Sequence, residues 1–172
     1  VKLHGIGSGG DNTNPNLPGN QNPLRTTRTI NVGLIDSSGN LQPVSSGNIT
    51  FRPNSGNFGG DIILNSTIPT GTYLIKIKSP QYLKKQLLGI ITITKGSINQ
   101  LPAVALITGD INNDNALTIA DYNILIGCYS DLLPPKNCDA TKKAAADISD
   151  DGNVNADDYN LFLRELSVVS GE

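Results

Sequence analysis

The sequence has no methionine, no tryptophan and one histidine, His4. Without Met even at position one, it reads as a processed or excerpted product. A single imidazole leaves little room for nucleophilic catalysis. No Ser-His-Asp set assembles around His4, which reads as a lone surface side chain on an N-terminal strand. Aromatic residues make up only 5% of the chain. That scarcity argues against a carbohydrate-binding module, because sugar sites favour exposed rings. No apolar run reaches the length of a membrane span, and no stretch reads as a signal peptide. The formal net charge is only −2, so there is no electrostatic case for nucleic acid. The Gly7-Ser8-Gly9-Gly10 piece lacks a following helix pattern, which removes a phosphate cradle. Lys84-Lys85 and Lys142-Lys143 are isolated pairs that read as solvated faces. These absences leave a non-catalytic protein, not an enzyme.

Cysteine is scarce as well: the chain has two, Cys128 and Cys138. No further Cys and no nearby His completes a zinc set. The pair reads as a disulfide rather than as free thiols, closing a small loop that includes SDLLPPKN. A disulfide points to an extracellular, secreted setting.

Eighteen Gly and ten Pro with few aromatics suggest a turn-rich β protein. Val1 and Leu3 would share one face of a short strand. Ser8 to Pro23 then holds a single aliphatic side chain, Leu17, and cannot form a core. Residues 1–24 are therefore expected to be a strand on an extended arm, ordered only by lying against this chain or a neighbour. From Arg25 the pattern has period two. Ile30, Val32 and Leu34 alternate with polar residues, and Asp36-Ser-Ser-Gly39-Asn40 is a turn cluster. Ile49 and Phe51 mark a second strand, Ile62 to Leu64 another, and Tyr73, Ile75 and Ile77 the clearest. Gln81 to Lys85 is a corner, Ile91 and Ile93 alternate again, and Leu101 to Ile107 is a last strand. Such spacing predicts an all-β sandwich over 25–107.

The remaining residues, 108–172, carry the strongest pattern. Asp110 to Asp121 reads DINNDNALTIAD, and Asp147 to Asp158 reads DISDDGNVNADD. Oxygen-bearing side chains fall at loop positions one, three, five, nine and twelve. In the first loop these are Asp110, Asn112, Asp114, Thr118 and Asp121. In the second they are Asp147, Ser149, Asp151, Asn155 and Asp158. Position seven needs only a backbone carbonyl, from Ala116 and Asn153. Ca²⁺ is a hard cation that takes six to eight oxygens, and alternate residues of a twelve-residue loop wrap them around one point. Gly152 sits where the loop turns sharply; Asn115 fills that place in the first loop and tolerates a left-handed backbone. Carboxylates brought together this way repel until a cation joins them, so metal binding and folding should be coupled.

Both copies continue as Asp-Tyr-Asn and an apolar run, Asp121-Tyr122-Asn123-Ile124-Leu125-Ile126 and Asp158-Tyr159-Asn160-Leu161-Phe162-Leu163. This duplicated loop-plus-helix, with Asp at position twelve and the opening Gly109-Asp110-Ile111-Asn112, resembles a dockerin module related to the EF-hand. The resemblance covers Thr108 to Leu166. It implies a small all-α module, two Ca²⁺ ions and a cohesin-like partner. In that family positions ten and eleven help to read the partner; here they are Ile119-Ala120 and Ala156-Asp157. Upstream, Pro69 to Tyr73 with Ser79-Pro80-x-Tyr82 is similar to carboxypeptidase-regulatory-like, Ig-like or transthyretin-like sandwiches. The combination resembles an X-module–dockerin pair, rigidly joined at Leu106 to Gly109.

The main functional expectation is a calcium-stabilised subunit of an extracellular filament or surface assembly. In it, residues 1–6 would add a strand to the next copy, giving a homo-polymer. The rival is docking onto a cohesin as part of a larger scaffold or enzyme. Asn48-Ile49-Thr50 and Asn65-Ser66-Thr67 fit the glycosylation sequon, so surface glycans are a further expectation.

Overall fold

The computed structural model describes residues 1–131, 134–135, 137–166 and 170–172. The N-terminal region is sheet-rich. Its strands are β1 (Lys2–Leu3), β2 (Thr27–Ile35), β3 (Ser45–Arg52), β4 (Asn57–Gly59), β5 (Gly71–Lys78), β6 (Gln81–Tyr82), β7 (Lys85–Gln86), β8 (Ile91–Ile93) and β9 (Ala105–Leu106). Then come β10 (Thr108–Asp110) and helices α1 (Ile119–Cys128), α2 (Ala140–Ala146) and α3 (Ala156–Glu165).

Alternation of side chains decides which face of the main sheet is dry. Along β2, Arg28, Ile30, Val32 and Leu34 are buried while their neighbours reach solvent; β5 repeats this with Tyr73, Ile75 and Ile77. The antiparallel register pairs Val32 with Ile77 and Leu34 with Ile75, so the apolar residues share one face. Each fully buried Ile or Leu contributes about 1.5–3 kcal/mol. The sheet runs β4-β3-β2-β5-β7, with β8 also paired to β5.

The expected two-sheet sandwich is not what covers that face. Among the described residues the other strands form only two-stranded pairs, β1 with β9 and β10 with β6. Leu3, Ile6, Ile68 and Leu106 complete the core from irregular or barely stranded segments. Two strand expectations change accordingly. Ile62 and Leu64 pack on the core and Ile63 is 89% exposed, so the alternation is there, but no ladder forms. Within Leu101 to Ile107, only Ala105–Leu106 is a strand.

The N-terminal strand is consumed within its own chain. Lys2 and Leu3 pair in parallel with Ala105 and Leu106, and the amides of Lys2 and His4 donate to Val104 O (2.8 Å) and Leu106 O (3.0 Å). Leu3 and Ile6 have no exposed surface. The pairing and burial of this strand are thus met within one chain. The structure therefore gives filament formation by strand donation no support.

A second apolar cluster lies under the helices: Ile111, Leu117, Leu125, Ala146, Ile148, Val154, Leu161 and Phe162, with Leu83 contributed by the sheet-rich region. Cys128 and Cys138 are disulfide-bonded, with Cα atoms 4.9 Å apart, which ties α1 to the chain entering α2. Part of the intervening SDLLPPKN stretch lies outside the described residues.

Candidate metal centre

Both acidic loops are wired by the same hydrogen bonds. At position twelve, one carboxylate oxygen accepts from the position-three amide: Asn112 to Asp121 at 3.0 Å, Ser149 to Asp158 at 2.8 Å. The other accepts from the position-nine amide, Thr118 at 2.9 Å and Asn155 at 3.0 Å. Position one accepts from the position-six amide, Asn115 to Asp110 at 3.1 Å and Gly152 to Asp147 at 3.0 Å. Position five accepts from position seven, Ala116 to Asp114 at 2.9 Å and Asn153 to Asp151 at 2.8 Å. Positions four and six are left-handed in each loop: Asn113 (φ 62°) and Asn115 (φ 69°), Asp150 (φ 60°) and Gly152 (φ 94°). Asn and Gly carry the smallest penalty there.

The same residues start the helices. Thr118 and Asn155 are N-caps, and Asp121 and Asp158 complete capping boxes at N3. Positions nine and twelve thus satisfy the orphan amides of a helix start. Ile111 and Ile148 at position two, with Leu117 and Val154 at position eight, anchor each loop in the lower core.

Burial makes the acids costly without a cation. Asp110, Asp121 and Asp158 are fully buried, and Asp147 nearly so. Burial pushes the Asp158 carboxyl up to about 6; its amide bonds pull the other way, and the Asp147 charge adds to the rise. Burial likewise raises Asp147, and it raises Asp110 against the opposing Lys78 ammonium. Asp147, Asp151 and Asp158 bring oxygens within 4.8 Å of one another. Ser149 Oγ, at position three of that loop, is buried and makes no hydrogen bond of good geometry, though it lies close enough to Asp158 to favour its ionised carboxylate slightly. Such a hydroxyl beside three converging carboxylates is the donor set that a hard cation satisfies. The residues present therefore fit calcium, most completely in the second loop.

Several contacts around the loops carry no spacing signal in the sequence. Asp150, at position four and outside the ligand pattern, is fully buried between Arg25 and Arg28; Arg28 Nη2 lies 3.0 Å from its carboxylate. Gln81 joins both loops: its amide donates to Asn113 Oδ1 (2.9 Å), its Oε1 accepts from both arginines, and its Nε2 donates to Ala144 O and Ala145 O. Lys78 pairs with Asp110. His4 is not a surface side chain. It is 6% exposed, and its Nδ1 lies 2.8 Å from Oε1 of the fully buried Glu165 on α3. Asp11 pairs with Arg164, and Asn12 Nδ2 donates to Glu165 O, so the arm lies along α3. Helix α2 was not anticipated either, although Asp139 caps it and its sequence is Ala-rich.

A duplicated twelve-residue acidic loop, each copy feeding a capped helix, defines a two-loop calcium-type module. Residues 108–167 match the family model of the dockerin type I domain, so the C-terminal part of the chain is a dockerin module following a sheet-rich N-terminal region. Dockerin domains are docking modules that bind calcium and cohesin domains. A search of curated proteins finds no match to the chain. Among the described residues, no helix is long and apolar enough to cross a membrane.

Proposed function

We propose that this protein is a calcium-dependent docking protein whose module binds a cohesin domain in an extracellular assembly. The observation that supports it most is the repeat of one hydrogen-bond frame in two acidic loops of a dockerin module. Two Ca²⁺ ions would be held by Asp110, Asn112, Asp114, Ala116, Thr118 and Asp121, and by Asp147, Ser149, Asp151, Asn153, Asn155 and Asp158. Ala116 and Asn153 would serve through their carbonyls. Bound calcium would supply the positive charge that lets these buried acids stay ionised and the helices stay capped.

Docking needs an exposed face, and the two helices differ there. On α1, Ile119 is 70% and Ile126 41% exposed, with Asn123 between them. In α3 the same positions are Ala156, Asn160 and Leu163, the last 42% exposed, so the helices differ at the first position, Ile119 against Ala156. The adjoining side of α3, with Asp157, Asn160 and Arg164, borders the arm across a cavity of about 430 Å³. An apolar patch flanked by polar groups suits a protein partner, so α1 is the better docking face. In this reading residues 25–107 are a carrier domain, residues 1–24 a strap from that domain onto α3, and residues 108–172 the docking unit. Exposed Asn48 and Asn65 remain candidate glycan acceptors.

Calorimetry against a panel of purified cohesin domains tests the reading. Binding is expected in calcium and lost in chelator, and Ile119→Asp with Ile126→Asp should abolish it. Absence of binding across the panel in calcium would refute the cohesin assignment. Absence of calcium uptake would refute the metal sites.

A further inference from the structure

We propose that Lys78 makes the two calcium sites unequal, so that the second loop fills first and tightly while the first fills later and more weakly. The inference rests on the metal reading above and concerns how the sheet-rich region tunes it. Lys78 leaves β5 at its last residue. Its Nζ contacts Asp110 Oδ2 and donates to Tyr82 O (2.5 Å), so it is held on both sides and its side chain is only 16% exposed. Asp110 occupies position one of its loop. A fixed ammonium on that carboxylate already supplies part of the charge a calcium ion would bring. It also opposes the ion electrostatically, and partial burial reduces the screening of that opposition.

The second loop has no such cation on a ligand. Its arginines engage Asp150, which is not in the ligand pattern; Arg25 reaches Asp147 only at the backbone carbonyl (2.8 Å). Position three makes the same distinction. Asn112 Oδ1 already accepts from the Asp114 amide and its Nδ2 donates to Asp114 Oδ2, whereas Ser149 Oγ has at most a weak contact with Asp158. Among the described residues, the trio of carboxylates converging within 4.8 Å is that of the second loop. Both loops bond internally, Asn155 Nδ2 donating to Asp151 Oδ2 (3.1 Å) in the second, and Arg25 favours the ionised Asp147 from the backbone side. The difference is that a lysine sits directly on a ligand carboxylate in the first loop. Lys78 is a positioning residue in this scheme, acting through Asp110.

Calcium titration of the whole chain, followed by calorimetry and by backbone amide NMR, tests it. Amides of Ile148 to Asp157 should move in the first step and those of Ile111 to Ala120 in a second, about tenfold weaker or more. Asp151→Asn and Asp114→Asn assign the steps by removing one each. Lys78→Met should tighten the first-loop step about tenfold and leave the second-loop step in place. Lys78→Arg, which keeps the charge, should leave both steps as they were. If Lys78→Met disturbs the sheet, Lys78→Gln asks the same question with a polar side chain. Simultaneous filling, the reverse order, or a first-loop step unchanged or weakened by charge removal overturns the proposal while leaving the metal reading intact. A wild-type chain that takes up no calcium removes both.

Discussion

Position four of the first loop is Asn113 and of the second Asp150. Both have a left-handed backbone, and both face the sheet-rich region. Asn113 accepts one amide hydrogen bond, from Gln81, whereas Asp150 accepts from two arginines and from the Arg25 amide (2.9 Å). At position four, two loops with one internal frame are therefore held from outside by different physics: a neutral bond in the first, a buried ion-pair network in the second. An isolated buried charge is costly, and a paired one tolerable. The second loop is thus committed to its neighbours in a way the first is not. Docking of the two regions and order in the second loop are then a single event.

Substitution at this position gives the largest expected contrast. Asp150→Ala leaves Arg28 buried without its carboxylate and should cost about 3–5 kcal/mol. Asn113→Ala at the matching position should cost about 1 kcal/mol. Urea unfolding in calcium measures both, and equal losses would erase the distinction between the loops.

Acidity tests the electrostatic side, through Asp158. Its carboxyl in the metal-free fold is raised to about 6 from 3.8, so between those values the folded chain keeps a proton that the unfolded chain releases. Without calcium, this contribution is complete at the acid end and is lost as pH rises through about 6. It is worth at most about 3 kcal/mol. Calcium needs the carboxylate, so in its presence stability should rise over the same window. Thermal unfolding of wild type and Asp158→Asn in chelator isolates this slope. A wild-type curve parallel to the variant's would show that Asp158 is not strained without metal.

The arm gives a smaller effect. His4→Ala leaves Glu165 buried with one fewer donor and should cost about 1–3 kcal/mol. Burial already raises Glu165, with His4 opposing. Hydrogen exchange should show faster opening of residues 4–20 and of α3, with α1 little changed. Protection lost equally from both helices would mean the arm braces the whole module and does not single out the second loop.

These contrasts also explain what sequence reasoning reached. The oxygens at positions one, three, five, nine and twelve lie within a dozen residues, and their spacing is their geometry. Period-two alternation found β2, β3 and β5 for the same local reason. The pairs Asp150–Arg28, Lys78–Asp110 and His4–Glu165 join residues far apart in the chain, and no spacing predicts them. Ile62 to Leu64 misled because its alternation reflects packing on a core without a neighbouring strand. His4 misled because a lone histidine carries no sign of the glutamate that meets it.

The smallest effect concerns a further support of the first loop. Residues 170–172 lie beside it: Gly171 donates to Asn115 O (2.9 Å), and Ala116 bridges to Ser170. The Glu172 side chain is paired with Lys85, and both are more than two-fifths exposed. Solvent screening reduces such a pair to about 0.2–1 kcal/mol. Lys85→Ala should therefore barely change unfolding and should leave the weaker calcium step within about twofold. Residues 170–171 reach Asn115 and Ala116 through backbone bonds, and the Lys84 amide that donates to Asn115 Oδ1 is unaffected. A larger loss at that step, screened away by added salt, would mean that charge at the C-terminal residues holds the first loop in addition to Lys78 on Asp110. The contrast seen at position four would then not extend to the C-terminal support of the first loop.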